Sequence, residues 1–289
     1  MFRTEESQRR YIAAYDAVLA AWPVPFDTLQ LPTRLGTTHV IASGPLDAPP
    51  LVLLHSLVAS ATVWRSNVAA LSGHFRTYAV DVIGQGGKSV ASGARIRGRR
   101  AFAGWLTDVL DGLGVQRASI VGCSFGGFLA LSQASLTPER VDRVVLISPA
   151  GTFVGLSLKF MLTMLSLPLR RRLRRLMGDQ REASMADLRM APRDAQWAAL
   201  MGVMMAERPR LQTISAAVLG TPELRAIRAP TLLLIGDQER LYDPQATLAL
   251  AKRRMPALET AIVPGADHIA AVAQPEAVNA RILEFLVRP

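Results

Sequence analysis

The chain has 289 residues, of which 50% are hydrophobic and 19% are charged, enough apolar material for a sizeable core and too much for global disorder. A single cysteine excludes both an intrachain disulfide framework and a multi-cysteine zinc site. The 33 basic and 23 acidic residues give a net charge of +10, but the basic residues are scattered without interleaved aromatic residues, so no nucleic-acid partner is expected.

The start of the chain and its longest apolar stretch bear on localisation. The first ten residues are polar and acidic and lack the apolar core of a signal peptide. The stretch 153–169 is interrupted by Lys159 and Pro168, so it is too short for a membrane-spanning helix. We therefore expect a cytoplasmic protein without stable membrane insertion. The oligomeric state stays open, with a homodimer among the alternatives.

The first predicted elements form a helix and a hairpin. Residues 5–22 place their apolar side chains on one helix face, and Pro23 ends this helix. Two short strands, residues 28–31 and 37–42, follow around the turn at Gly36.

From residue 51 onward, short apolar runs alternate with helical patterns. This alternation predicts βαβ units and a mostly parallel sheet, and uninterrupted apolar runs indicate strands that are covered on both faces. Together with the hairpin, the sheet has eight strands and is flanked by helices, so the fold class is α/β. The further predicted strands are residues 51–55, 78–83, 118–121, 144–147, 231–235 and 260–263, and the predicted helices are 63–71, 102–113, 125–136, 244–254 and 275–286.

One segment interrupts the alternation. Residues 152–222 show helical periodicity without a strand pattern, which predicts a helical lid inserted between the sixth and seventh strands. The core then consists of residues 1–151 and 223–289. The segment holds eight of the ten methionines and the run 170–175, which has five arginines. The methionines fit core packing or an adaptable apolar pocket wall, and the arginines fit a solvated helix face or an anionic-ligand site.

The residues around Ser124 form the most specific motif. Gly122-Cys123-Ser124-Phe125-Gly126 lies between a predicted strand and an apolar helix, the setting of a G-x-S-x-G nucleophile elbow. Such a turn brings backbone close to backbone, so Gly122 and Gly126 are required to lack a Cβ. A plain helix N-terminus explains a capping serine but neither glycine. Ser124 is therefore the predicted nucleophile, and Cys123 is expected to be a small buried filler.

A serine nucleophile needs a base, and the base needs an orienting acid, which follow in the chain order serine, acid, histidine. Of the four histidines, only His268 follows Ser124, so His268 is the predicted general base.

The acid has three candidates after the strand 231–235. Asp243 directly precedes Pro244 and a helical pattern, so it is predicted to be a helix N-cap. Asp237 and Glu239 both lie in the loop that leaves the strand, and either carboxylate can orient an imidazole. We favour Glu239 and keep Asp237 as the alternative.

These motifs resemble those of the α/β-hydrolase superfamily, in the branch of small carboxylesterases and related carbon–carbon-bond hydrolases. The resemblance covers nearly the whole chain, through residues 51–55, 81–89, 122–126, 234–239 and 265–268. It implies an α/β-hydrolase fold and an acid three residues after the glycine at the strand end, which is Glu239 here. Most relatives have aspartate at that point.

The resemblance also implies an oxyanion hole. Family members have His-Gly after the third strand, where this chain has His55-Ser56-Leu57, so the matching donors are the backbone N–H groups of Leu57 and Phe125. Ser56 departs from the family pattern, and this bears on the turn, because glycine often serves positions with positive φ. His55 is expected to buttress the loop.

Two other motifs do not complete a cofactor site. Gly87-Lys88-Ser89 resembles the end of a phosphate-binding loop, but Val82 stands where that motif requires glycine. No G-x-G-x-x-G spacing occurs where a dinucleotide-binding fold would have it, and four histidines leave little material for a metal centre. We expect neither a cofactor nor a metal.

The expected activity is the hydrolysis of an apolar, small-molecule carboxylic ester through an acyl-enzyme. The first alternative is a carbon–carbon-bond hydrolase of the meta-cleavage-product type, from whose pattern Leu57-Val58-Ala59 and Ile269 depart. The second is a hydrolase-like binding protein with slow turnover. Haloalkane dehalogenases and epoxide hydrolases use an aspartate as the nucleophile. Because Ser124 occupies that position here, both classes of enzyme are excluded.

Overall fold

A computed structural model of the chain describes residues 2, 4–93, 95–155, 194–207, 211, 212, 214 and 216–288. The strands are β1 (Phe26–Thr33), β2 (Gly36–Ser43), β3 (Pro50–Leu54), β4 (Arg76–Val80), β5 (Val90–Ala91), β6 (Ala118–Cys123), β7 (Val141–Ile147), β8 (Thr231–Gly236) and β9 (Glu259–Val263). The α-helices of the described residues are α1 (Glu5–Ala20), α2 (Arg65–Ser72), α3 (Gly98–Gly112), α4 (Phe125–Leu136), α5 (Ala195–Glu207), α6 (Thr221–Arg225), α7 (Pro244–Arg254), α8 (Ala270–Ala273) and α9 (Pro275–Leu286).

The strands form one sheet in the order β1-β2-β4-β3-β6-β7-β8-β9, and β5 pairs with β2 beside this path. The pairs that involve β2 are antiparallel, whereas every pair from β4 to β9 along the path is parallel. The expected mostly parallel eight-stranded sheet is therefore confirmed, and the two-residue β5 is an addition that the sequence pattern did not predict.

Both faces of the sheet are covered, as the uninterrupted apolar runs predict. In β3, Leu51 and Leu53 belong to one buried cluster, while Val52 and Leu54 belong to the other. The first cluster includes apolar side chains of α1, α2, α5, α8 and α9, and the second includes those of α3, α4, α6 and α7. This alternation holds the parallel strands rigidly, so the loops at their carboxyl ends start from fixed positions.

The strand predicted at residues 78–83 is shifted, because β4 runs from Arg76 to Val80. Residues 81–83 are fully buried, and Val82 and Ile83 extend the apolar pattern, but the N–H of Val82 donates to Nε2 of His55 at 2.8 Å. Asp81 turns its carboxylate into the interior instead. Polar partners that lie far away in sequence therefore end the strand.

Asp81 is the centre of a buried polar network. Its Oδ1 accepts from the N–H of Ala61 at 2.7 Å, and its Oδ2 lies 3.0 Å from the Tyr15 hydroxyl and 2.9 Å from Nδ1 of His39. Oδ2 also accepts from the N–H of Lys88 at 2.8 Å. Burial on its own raises the pKa of Asp81, but the hydrogen bond and charge of His39 and the N–H of Ala61 outweigh it, so the pKa lies below its ordinary value.

We expect Asp81→Asn to lower the free energy of unfolding by about 3 kcal/mol at pH 7, because an NH₂ group then faces buried donors. The folded-state pKa of Asp81 lies below its unfolded value of about 3.9, so this contribution is complete above that pH and disappears as the pH falls through the folded-state pKa. Denaturant unfolding of both proteins at pH 7 and pH 3 measures the difference. Asp142→Asn, at an exposed ion pair with Arg117, is the control and should change stability by about 0.5 kcal/mol or less. If the two substitutions lowered stability equally, the stabilising role of the buried Asp81 carboxylate would be contradicted.

The segment between β7 and β8 is described only in part. The predicted lid, residues 152–222, falls largely outside the described residues, as do five of its methionines and the arginine run 170–175, so the lid and its boundaries stay predictions. Its helix α5 packs against α1, where Trp197, Met201 and Met204 are buried in the same cluster as Tyr11 and Tyr15. These two methionines therefore contribute to core packing, one of the two alternatives.

Ion pairs connect α5 and the residue before it to α1 and to the start of α2. Arg10 donates to Glu207 at 2.6 Å, and Arg65 donates to Asp194 at 2.8 Å just before α5 begins.

In the described ranges, no helix combines the length and the apolar character that crossing a membrane requires.

Candidate active site

Ser124 stands in a strained turn between β6 and α4. Its φ of 50° and ψ of −112° lie outside the regions that a residue with a side chain prefers. The Ser124 N–H donates to the carbonyl of Ile147 at 2.9 Å, and the Ser124 carbonyl accepts from the N–H groups of Phe128 and Ala150, each at 3.1 Å. The neighbouring strand and the first turn of α4 therefore hold this conformation in place.

The two glycines of the elbow are required by close backbone approach. A Cβ at Gly122 would overlap the carbonyl group of Gly126, and a Cβ at Gly126 would overlap the carbonyl oxygen of Leu54 at the end of β3. These spaces are closed by backbone, which cannot move aside as a flexible side chain can.

We expect Gly126→Ala to reduce kcat/KM by about 100-fold and to destabilise the fold by about 3 kcal/mol, because α4 must move away from β3 and carry Ser124 with it. Gly202→Ala is the matched control. Gly202 lies inside α5 with open space around its Cα, so alanine there should add about 0.5–1 kcal/mol of stability. Ester hydrolysis and thermal unfolding of both variants test the pair, and normal activity of Gly126→Ala would refute the close-approach argument.

Three side chains predicted from the sequence lie in one hydrogen-bonded chain. Nε2 of His268 is 2.9 Å from Oγ of Ser124, and Nδ1 of His268 is 2.8 Å from Oε2 of Glu239. The Glu239 side chain is fully buried, and the His268 side chain is 10% exposed. This arrangement can remove the serine proton and stabilise the imidazolium that results.

Glu239 is held in its ionised form and in a fixed orientation. Its Oε1 accepts from the N–H groups of Arg240 at 2.7 Å and Leu241 at 2.9 Å, which leaves Oε2 for His268. Burial on its own raises the pKa of Glu239, but the hydrogen bond and charge of His268 together with the two N–H groups outweigh it. The pKa of Glu239 is therefore lowered, and the carboxylate stays charged at neutral pH.

A glycine at the end of β8 lets the acid loop reach the histidine loop. A Cβ at Gly236 would overlap the carbonyl of Ala266, two residues before His268. The N–H of Gln238 donates to that same carbonyl at 2.9 Å, so the loop that carries Glu239 and the loop that carries His268 are joined directly.

The other two acid candidates lie elsewhere. Asp243 caps α7, because its Oδ1 accepts from the N–H of Ala246 at 2.8 Å, so the predicted N-cap is confirmed. Asp237 is exposed to solvent. Of the acid candidates, the structure thus places Glu239 beside His268.

The two expected oxyanion donors are the backbone N–H groups of Leu57, in the loop after β3, and Phe125. Phe125 is the first residue of α4, whose N-terminal N–H groups lack intrahelical partners and carry a partial positive charge. Among the described residues, neither the N–H of Leu57 nor that of Phe125 has a hydrogen-bond acceptor. Both groups are therefore available for an anionic oxygen.

The loop that carries Leu57 does not need glycine at Ser56. Ser56 is not among the residues with positive φ, whereas Val58 has a φ of 66°. The departure from the family's His-Gly pattern is thus accommodated, and the unusual backbone lies two residues further along. No sequence pattern predicts the positive φ of Val58, because a β-branched residue is a poor candidate for this conformation.

His55 orients this loop, in line with the expected buttressing role. Nε2 of His55 accepts from the N–H of Val82, so the proton of the neutral ring is on Nδ1, which donates to the carbonyl of Ser56 at 2.8 Å. Burial lowers the pKa of His55 against the smaller opposing effect of Asp81, which favours the neutral ring. The Ser56 carbonyl and the Leu57 N–H share one peptide plane and point in opposite directions, so His55 sets the direction of the Leu57 N–H.

The remaining candidates have structural surroundings. Cys123 is buried, and burial raises the pKa of its thiol, so it packs beside the elbow as an inert filler. Within the described ranges, no group of three or more histidine, cysteine, aspartate or glutamate side chains is placed to hold a metal ion.

Known proteins share this architecture over nearly the whole chain. The chain is 36% identical to carboxylesterase YbfK of Bacillus subtilis over 99% of its own length and 96% of that protein. The crystal structure of naproxen esterase (carboxylesterase NP) from Bacillus subtilis superposes with a TM-score of 0.83 at 33% identity, over 96% of this chain and 98% of that chain. A 2-hydroxy-6-oxo-2,4-heptadienoate hydrolase of Pseudomonas putida is 30% identical, over 70% of this chain and 76% of that protein.

A family model described as alpha/beta hydrolase fold matches residues 49–273. This range begins just before β3 and includes Ser124, Glu239 and His268. The chain therefore belongs to the α/β-hydrolase fold family, in its carboxylesterase-like branch.

Proposed function

We propose that the protein is a serine carboxylesterase that cleaves apolar carboxylic esters through an acyl-enzyme intermediate. Ser124 is the nucleophile, His268 is the general base, Glu239 is the orienting acid, and the N–H groups of Leu57 and Phe125 form the oxyanion hole. The observation that carries the proposal is the continuous hydrogen-bonded chain from Ser124 Oγ through His268 to Glu239.

The geometry supports two matched half-reactions. Oγ of Ser124 bonds to the ester carbonyl carbon while Nε2 of His268 takes the hydroxyl proton, and the carbonyl oxygen becomes an oxyanion between the two N–H donors. The bond to the alcohol oxygen then breaks, and His268 returns the proton to the leaving alkoxide. In the second half, His268 takes a proton from water, the resulting hydroxide attacks the acyl carbon, and Ser124 leaves with its proton restored.

Electrostatics favour this route at each step. The ionised Glu239 stabilises the imidazolium that exists only while the tetrahedral intermediate is present, so it lowers the barrier more than it stabilises the resting enzyme. The N-terminus of α4 adds a fixed positive potential at the oxyanion position, and it requires no reorganisation during the reaction.

The relatives support an ester substrate. The two Bacillus subtilis proteins are a carboxylesterase and a naproxen esterase, and each aligns with almost the whole chain. We carry from them the reaction class, which is carboxylic ester hydrolysis.

Carbon–carbon-bond hydrolysis is the second candidate, favoured by the resemblance to the Pseudomonas putida heptadienoate hydrolase. The same serine, histidine and acid would serve there, so the triad alone does not separate the two reactions. A vinylogous diketone substrate does, because its conjugated absorbance disappears on cleavage. Turnover of that substrate at a rate above ester turnover would replace the proposed function with this one.

Pre-steady-state hydrolysis of p-nitrophenyl butyrate tests the ester proposal. An acyl-enzyme intermediate predicts a burst of nitrophenolate that equals the enzyme concentration when deacylation is slower than acylation. In parallel, a neutral p-nitrophenyl phosphonate should label one site, and mass spectrometry of the digested protein should locate the label on Ser124. Label on another residue would contradict the nucleophile assignment, and binding without turnover would favour the binding-protein alternative.

A further inference from the structure

The backbone of Val58 holds a conformation that needs an external restraint. Its φ of 66° is in the left-handed region, where a β-branched side chain is strained by about 1–3 kcal/mol. Val58 directly follows Leu57, one of the proposed oxyanion donors. If Val58 relaxed to negative φ, the peptide plane between Leu57 and Val58 would rotate and Leu57 would shift, and with it the neighbouring Ser56–Leu57 plane that carries the Leu57 N–H.

Gln85 contacts this strained residue. Its side-chain Oε1 accepts from the N–H of Val58 at 3.4 Å, and Gln85 itself is 2% exposed. The loop that carries Gln85 begins at the buried Asp81 and is anchored by a hydrogen bond from the Gln85 N–H to the Val82 carbonyl at 3.0 Å. The Gln85 side chain is therefore a fixed acceptor rather than a mobile surface group.

The other end of the same amide contacts the end of the insertion. Nε2 of Gln85 donates to the backbone carbonyl of Gln212 at 2.8 Å. The Gln212 N–H donates to the carbonyl of Gly84 at 2.8 Å, and its side-chain Oε1 accepts from the N–H of Ile96 at 3.2 Å. Gln212 is thus held on three sides, and it gives Gln85 a stationary second attachment.

The two partners require an amide at position 85. Val58 presents an N–H and Gln212 presents a carbonyl, so the side chain between them must accept at one end and donate at the other. A carboxylate of the same length offers only acceptors and would repel the Gln212 carbonyl. An apolar side chain of similar length satisfies neither backbone group.

We propose that Gln85 is a positioning residue of the oxyanion hole. It ties Val58 to Gln212 and thereby holds the Leu57–Val58 peptide plane, while His55 holds the adjacent Ser56–Leu57 plane, so that both planes that meet at Leu57 are fixed and the Leu57 N–H stays directed at the developing oxyanion. This inference rests on the proposed esterase function. The side-chain hydrogen bonds of Gln85 go to the backbone of Val58 and Gln212, so its effect acts through the direction of the Leu57 N–H.

The test combines two substitutions with a pair of substrates. Gln85→Met keeps length and removes both hydrogen bonds, and Gln85→Glu keeps the acceptor for Val58 but loses the donor toward Gln212. The substrates are p-nitrophenyl butyrate and its thionoester, in which sulfur, a larger and weaker acceptor, stands where the oxyanion develops. The ratio of kcat/KM for the oxygen ester to that for the thionoester reports how well the N–H donors fit oxygen.

We expect both variants to lose about 10- to 100-fold in kcat with KM changed by about twofold or less, and the ratio to fall by a similar factor. Unchanged kcat and ratio in folded Gln85→Met would overturn the inference. Unchanged values in Gln85→Glu would overturn the tie to Gln212. The second variant also keeps the test decisive if Gln85→Met does not fold.

Gln133→Met is the matched control. Gln133 is a fully buried glutamine of α4 whose amide donates to the hydroxyls of Thr107 at 3.1 Å and Thr137 at 2.7 Å. Its loss should lower the melting temperature and leave the substrate ratio at the wild-type value. The wild-type protein distinguishes failure of the proposed function from failure of the inference about Gln85. If the wild-type protein hydrolysed neither ester, the proposed function itself would be refuted.

Discussion

Replacing Ser124 by alanine is expected to lower kcat for ester hydrolysis by about 10⁶-fold while the fold is retained. Alanine removes the hydroxyl that forms the acyl-enzyme, whereas the hydrogen bonds of the Ser124 backbone to Ile147, Phe128 and Ala150 remain. The residual rate should exceed the reaction in water, because the oxyanion donors and the binding surface persist. Steady-state rates on p-nitrophenyl butyrate and the circular dichroism of both proteins measure the two parts of this prediction.

Ser132→Ala is the control for this substitution. Ser132 is buried in the same helix α4, and its hydroxyl has no hydrogen-bond partner among the described residues. Removal of this hydroxyl should leave kcat within about twofold of the wild type, because the hydroxyl makes no hydrogen bond that the substitution could break. If purified Ser124→Ala turned over esters near the wild-type rate, the serine-hydrolase mechanism would be wrong.

Glu239→Gln is expected to lower kcat by about 10⁴-fold, far more than its small change in shape suggests. The N–H groups of Arg240 and Leu241 require an oxygen at the Oε1 position, so the new NH₂ group must face Nδ1 of His268. That nitrogen then has to act as the acceptor, which places the ring proton on Nε2, opposite Ser124. His268 can no longer receive the serine proton, and the charge that stabilises the imidazolium is gone.

Asp237→Asn tests the alternative acid with the same chemistry. Asp237 is exposed and lies two residues from Glu239, so its amide should leave kcat within about twofold. Rates for the two variants, measured side by side across pH, decide between the carboxylates. A severe loss in Asp237→Asn together with mild behaviour of Glu239→Gln would transfer the role to Asp237.

Ser124 and His268 could be predicted from the sequence, because the geometry of the elbow and the order of the residues in the chain leave few candidates for these roles. The elbow needs two glycines at fixed distances from Ser124, and chain order leaves His268 as the one histidine beyond it. Spacing from the strand end admits both Asp237 and Glu239, and the resemblance to the family supported the preference for Glu239. The distances then distinguish them, because Glu239 is buried against His268 and Asp237 is not.

Other features could not be predicted because they depend on partners far away in the chain. The end of β4 at Val80 is set by His55 and by the network around Asp81, which no local pattern encodes. The positive φ of Val58 contradicts the preference of a β-branched residue and is imposed by its surroundings. The two-residue strand β5 is too short for any periodic signal.

The packing of α1 on α5 has a consequence for protein engineering. Helix α1 ends before the family match begins at residue 49, yet its Tyr11 and Tyr15 share a buried cluster with Met201 and Met204 from the insertion. If the segment that contains α5 were exchanged between relatives, α5 would therefore lose its buried contacts with α1 unless residues 5–20 were transplanted with it. In recombination libraries, α1 and α5 should be inherited together, although residues 21–194 separate them in sequence.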